Sequence, residues 1–105
     1  MARYNLYIDD ERVPKTSRQF TVVRSFRDAC EVVITYGFPE YISFDHDLGE
    51  DVPTGFDFAK WLVEHDMDTG TMPKNFEYNI HSANPVGGAN ISGLLDNYLQ
   101  QRVDK

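Results

Sequence analysis

The sequence predicts one α/β domain, a parallel sheet of about four strands covered by about three helices. Three observations carry this. The segments run strand, loop, strand, helix, strand, helix, strand, helix. Polar clusters follow the strand segments rather than interrupting them. The 105 residues, 41% of them hydrophobic, suffice for one core and one domain spanning 1–105.

Taken in order, Tyr4, Leu6 and Ile8 alternate in "RYNLYIDD", a first strand with Asp9 and Asp10 at its carboxyl end. "ERVPKTSRQ" reads as a loop, and "FTVVRS" as a second, β-branched strand. "SFRDACEVVITYG" places Phe26, Ala29, Cys30 and Val33 at helical spacing. Ser25 with Asp28 marks the helix start, and Gly37 before Pro39 marks its end. "EYISF" is a third strand, "DHDLGEDVP" a loop, and "TGFDFAKWLVEHD" a helix opened by Thr54 and Asp57. After a turn region in "DTGTMPKN", "FEYNI" is the fourth strand and "HSANPVGG" breaks it. Ile91, Leu94, Leu95, Tyr98 and Leu99 then form a closing amphipathic helix.

Seventeen acidic against ten basic residues give a formal net charge of -7, which excludes duplex nucleic-acid binding through many phosphate contacts. No apolar run approaches the roughly 20 residues of a membrane span, and the start lacks a signal-peptide layout, so the expected compartment is the cytoplasm. The single cysteine, Cys30, excludes an internal disulfide framework and reads as a small buried thiol.

In an open parallel sheet the carboxyl ends of the strands share one edge, where ligands bind. Asp9 and Asp10 end the first strand, Asp45, His46 and Asp47 the third, and His81 and Ser82 the fourth. Neighbouring strands lie about 4.8 Å apart, so these side chains can converge. Each acid taken singly also suits a turn or a cap. Clustered carboxylates repel unless a cation or a shared proton relieves them, so Asp9, Asp10 and Asp45 point to a hard divalent metal such as Mg²⁺ or to a raised carboxyl pKa.

His46 and His81 leave strands on this rim and could pass a proton between them at one phosphate. If the third strand runs on through Asp47, the pleat turns His46 to the opposite face. His65 lies near a helix end and favours the helix dipole. In "HSANPVGGAN", Ser82, Asn84 and the amides near Gly87 and Gly88 could hold a phosphate at a helix start, while Asn84 equally suits an N-cap followed by loop glycines. Arg12 and Arg24 follow the first and second strands and could balance the acids or clamp a phosphate.

Together, "IDDERVP", "SFDHDLG", "TGFDFAKWLVE" and "HSANPVGGANI" resemble the cyclic-phosphate processing receiver family, over Tyr4 to about Leu99. The resemblance implies a small three-layer receiver, flavodoxin-like fold and action on cyclic phosphate ends of RNA or nucleotides, often in phages and bacteria. By motif, Asp9 and Asp10 resemble the receiver Mg²⁺-binding pair, Asp45 the phosphoacceptor, Ser82 the strand-four hydroxyl, and His46 and His81 the added histidines. No fifth strand with its phosphoryl-contacting lysine follows, and a loop replaces the first crossover helix.

The leading expectation is a metal-assisted phosphoesterase that opens a cyclic phosphate. Asp9, Asp10 and Asp45 hold the ion, His46 and His81 act as general acid and base, and Arg12, Ser82, Asn84, Gly87 and Gly88 orient the phosphate. The alternatives are a non-catalytic module that binds a nucleotide or a partner protein, and a conventional phosphoacceptor using Asp45. Asp47 reads as a cap or support, and Glu50 and Asp51 as solvated loop.

Overall fold

The computed structural model describes residues 4–16 and 18–103. Strands β1 (Asn5–Ile8), β2 (Thr21–Val23), β3 (Tyr41–Phe44) and β4 (Glu77–Ile80) form one parallel sheet in the order β2-β1-β3-β4. Helices α1 (Phe26–Tyr36), α2 (Gly55–Thr69) and α3 (Pro85–Val103) complete it. The receiver-like α/β architecture expected from the motifs is present.

The caps read from the sequence set the helix starts. Ser25 accepts from the Asp28 amide, and Thr54 and Asp57 form a reciprocal capping box. α2 continues past Asp66 to Thr69, where Gly70, at φ 63°, takes the left-handed conformation that ends it. The start of α3 differs from the expectation. The helix begins at Pro85, so Gly87 and Gly88 lie in its first turn and not in a loop. Proline is preorganised at a first helical position, and Asn84 supplies the cap: its Oδ1 accepts from the Gly87 amide at 2.9 Å.

The strand order places the three helices. The steps β2 to β3 and β3 to β4 cross the sheet in the same direction, so right-handed crossovers set α1 and α2 on one face. α3 packs beside α2 on that face, and Ile91, Leu95 and Tyr98 join Leu6, Ile8, Ile42, Phe44, Phe58 and Leu62 in one core. The step β1 to β2 runs the other way and would carry a helix to the second face. It holds the loop after Ile8 instead, so Tyr7, Tyr41, Ser43 and Asn79 look out from the sheet without a helix above them.

Away from the strand ends, buried Asp66 ties α2 to α3. It accepts from the Tyr98 hydroxyl at 2.6 Å, the Met72 amide at 2.8 Å and the Arg102 guanidinium at 2.9 Å. Burial alone would push its carboxyl up; these partners outweigh burial and hold it below the usual range. Cys30 is buried in the core, and its thiol is pushed up to about 11 by desolvation, consistent with a packing role.

Candidate functional site

The backbone ladder runs one residue beyond the strands. The Asp9 amide donates to Val23, the Asp45 amide to Ile8 and the His81 amide to Phe44, at 3.2, 2.9 and 2.9 Å. Asp9, Asp45 and His81 therefore stand in one row across three neighbouring strands.

Asp9 is fully buried and gathers most of the hydrogen bonds of this row, in which Asp45 stands in the middle. Its Oδ1 accepts from the Glu11 and Arg12 amides, both at 2.9 Å. Its Oδ2 accepts from Arg12 Nε at 2.8 Å and His81 Nε2 at 3.0 Å. Burial works to raise its pKa, but the two amides, His81 and the Arg12 charge together leave it below the ordinary carboxylate value. Asp9 is thus a stable anion despite complete burial.

Asp45 has the opposite balance. It is 5% exposed, with Oδ1 accepting from the His46 amide at 2.9 Å and from Arg12 Nη2 at 3.2 Å. Desolvation and the neighbouring Asp9 charge raise its pKa, and Arg12 only partly offsets them. One guanidinium therefore bridges two carboxylates. The same residue is nearly half exposed, so its outer edge faces solvent. Arg24 acts on the backbone here, donating to the Asp9 and Arg12 carbonyls at 3.1 and 2.6 Å, which ties down the start of the loop after β1.

His81 is clamped on both ring nitrogens. Nδ1 meets the Ser43 hydroxyl at 2.7 Å, and the ring stacks on Tyr7 with centroids 4.4 Å apart. With Asp9 ionised, Nε2 donates to Asp9 and Nδ1 accepts from Ser43. Burial lowers the pKa of His81, although Asp9 and Asp45 pull the other way, so the imidazole is neutral at pH 7.

His46 has different surroundings. Its Nδ1 lies 2.8 Å from Asp47 Oδ1, and its ring rests on the first turn of α3, where a Cβ added to Gly87 would fall 2.2 Å from His46 Cγ. Asp47 is held in turn by Asn84 Nδ2, at 3.4 and 3.5 Å from its two oxygens, and its carboxyl is lowered chiefly by His46. Gly55 locks the backbone beneath, since its amide donates to the His46 carbonyl at 2.7 Å and a Cβ there would overlap the Asp45 carbonyl oxygen. The structure thus joins His81 to the acids and joins His46 to Asp47 and α3. No hydrogen bond links the two histidines among the described residues.

The remaining candidates are engaged in building the start of α3. Ser82 Oγ accepts from the Asn84 amide at 3.0 Å, and the Gly88 amide donates to the Asn84 carbonyl at 2.9 Å. The Gly87 and Gly88 amides offered to an anion by the sequence are therefore bonded to Asn84. Asp51 and Glu50 are exposed, as expected, and Glu50 edges the shallow depression that holds Asp10, Asp45 and Asp47. Two residues escaped the sequence reading, Ser43 and Tyr7. Each lies two positions before a rim acid, Asp45 or Asp9, so strand alternation places it on the same face.

Carboxylate oxygens of Asp9, Asp10 and Asp45 lie within 4.8 Å of one another. An all-oxygen donor set of this kind fits a hard divalent cation such as Mg²⁺. Asp10 is exposed and has no hydrogen-bond partner among the described residues, and Asp45 accepts on one oxygen, so both retain lone pairs that Asp9 has committed elsewhere.

The model of the cyclic-phosphate processing receiver domain matches residues 4–97. Searches of the curated proteins and of the solved structures each found no match. No helix among the described residues is long and apolar enough to cross a membrane.

Proposed function

This chain belongs to the cyclic-phosphate processing receiver family, and on that premise we propose that it is a phosphoesterase that hydrolyses a cyclic phosphate on a nucleotide or an RNA end. The observation that carries the reading is the bridging of Asp9 and Asp45 by Arg12, with His81 bonded to the same Asp9 carboxylate. An anion-binding cation, a neutral imidazole and a set of free carboxylate lone pairs meet at one strand edge, which is the equipment phosphate ester hydrolysis needs.

In this reading Asp10 and Asp45, beside Asp9, would hold a divalent cation, which would supply polarisation of the phosphate and spread its developing charge. Arg12 turns its exposed edge to a phosphate oxygen. Water attacks phosphorus, an O–P bond forms, and the ester bond to one ribose oxygen breaks. His81 accepts the proton of the water through the Ser43 hydroxyl and returns a proton to the leaving ribose oxygen. Of the two histidines His81 is the better supported, because it touches Asp9. His46 acts by holding Asp47 beside the site, with Ser82, Asn84, Gly87 and Gly88 shaping the wall at the start of α3.

The test is incubation of the protein with Mg²⁺ or Mn²⁺ and a panel of cyclic phosphates, beside an Asp45→Asn variant. Turnover by the wild type and its loss in the variant are expected. An untouched panel, bound no better by wild type than by the variant, refutes the reading. Tight binding with full recovery of unchanged ligand would instead identify a binding module. An acid-labile adduct of phosphoryl mass, formed with a small phosphodonor and absent from Asp45→Asn, would identify a phosphoacceptor.

A further inference from the structure

Among the described residues the second face of the sheet is roofed by the loop after β1, and a cleft of about 550 Å³ lies between them. Its volume falls within the ordinary range for a small-molecule site. Its floor is a run of rings. His81 stacks on Tyr7 at 4.4 Å, Tyr7 meets Phe20 edge-on at 5.5 Å, and Phe20 meets Tyr41 at 5.9 Å. The Arg18 guanidinium sits 4.2 Å from the Tyr41 ring centroid.

The charge of this cleft is opposite to that of the chain. Arg12, Lys15 and Arg18 line it and no acid among the described residues does, in a protein of net charge -7. Lys15 is exposed and has no ion-pair partner among the described residues. His81 and Arg12 belong both to the cleft and to the acidic site, so the two are continuous.

We infer that the cleft is a nucleoside subsite: it takes the ribose and base of a nucleotide whose phosphate lies at Arg12 and His81, with the base against Tyr41 and Phe20 and Lys15 facing the anionic end. This rests on the proposed phosphate site and names the substrate that site serves. Rings that present a face to a groove of positive charge bind nucleotides by stacking and Coulomb attraction together. A phosphate alone would reach Arg12 and leave the aromatic floor unused. Asn79 and the Ser43 hydroxyl give the base or ribose polar edges to bond.

The experiment is calorimetric titration with four probes: adenosine 2',3'-cyclic phosphate, adenosine 5'-monophosphate, glycerol 1,2-cyclic phosphate, which has no base, and a trinucleotide ending in the same adenosine cyclic phosphate. Adenosine ligands are expected to bind at least about tenfold more tightly than the glycerol compound. Tyr41→Ala should weaken the adenosine ligands and leave the glycerol compound unchanged, whereas Lys15→Ala should weaken both kinds of phosphate, with folding checked by circular dichroism. Equal affinity for ligands with and without a base, or a preference for the base that Tyr41→Ala does not alter, overturns the inference. Base-dependent binding without turnover refutes only the phosphoesterase reading, since adenosine 5'-monophosphate has no cyclic ester to open and its binding does not depend on that reaction. A trinucleotide that matches the mononucleotide identifies an RNA end as the source; binding of the mononucleotide alone identifies a free nucleotide.

Discussion

Asp9 Oδ2 accepts from His81 Nε2 at 3.0 Å, joining residues 72 positions apart through a carboxylate that is fully buried. Arg12 binds the same oxygen and extends the network to Asp45. Four predictions follow from the unequal situations of these groups and of the glycines around them.

Asp9 and Asp45 should separate stability from activity. Asp9 satisfies four donors, so Asp9→Asn leaves Arg12 and His81 facing an amide and should cost about 3 kcal/mol in urea denaturation. Asp45 is destabilised by burial and by Asp9, so Asp45→Asn should change stability by no more than about 1 kcal/mol, toward greater stability, while abolishing turnover. Equal destabilisation by both substitutions would contradict the assigned roles.

The His81 imidazole should give stability an identifiable pH slope. Its folded pKa lies below the unfolded value of 6.5, so between the two the unfolded chain binds the extra proton. Stability is then full above 6.5 and falls as pH drops through the folded pKa. Asp9, with a depressed pKa, adds stability that is present above its unfolded value of 3.8 and is lost at still lower pH. Denaturation midpoints measured from pH 4 to pH 8 should show the first slope in wild type and lose it in His81→Gln. A slope unchanged by that substitution would assign it to another group.

Arg12 and a divalent cation should compete for the same carboxylates. Arg12→Gln removes the guanidinium that bridges Asp9 and Asp45 and should tighten Mn²⁺ binding several-fold by titration calorimetry, while weakening affinity for the phosphate of a nucleotide. Cation affinity that is unchanged or weakened would mean that the acids do not form the cation site.

Two glycines of α3 should respond oppositely to alanine. At Gly87 the added methyl would fall 2.2 Å from His46 Cγ, so the ring must leave its place beside Asp47, at a cost of about 1–3 kcal/mol. At Gly93 nothing lies within 4 Å, and Gly93→Ala should stabilise the helix by about 0.5–1 kcal/mol. Thermal melts of the two variants check the pair, and stabilisation by Gly87→Ala would mean that His46 is free to move.

Much of the fold was legible because its signals are local. The alternation around Leu6 and Ile8, the helical spacing of Ala29, Cys30 and Val33, and the capping pairs Ser25 with Asp28 and Thr54 with Asp57 lie within a few residues of chain. The start of α3 was misplaced because Gly87 and Gly88 are poor helix formers, and the cap from Asn84 and the proline at the first position override them.

By itself the sequence determined that Asp9, Asp45 and His81 would end strands of one parallel sheet, since the periodicity and order of short segments set where each strand stops. Tertiary structure alone decided their partners. It gave His81 to Asp9 and His46 to Asp47, filled the amides of Gly87 and Gly88, and left Tyr7 and Tyr41 on a face roofed by a loop. The physical reason is that a strand's end is a property of its neighbours in sequence. The bond a rim side chain makes depends on strand order, pleat and register across chain segments that meet only in the folded sheet.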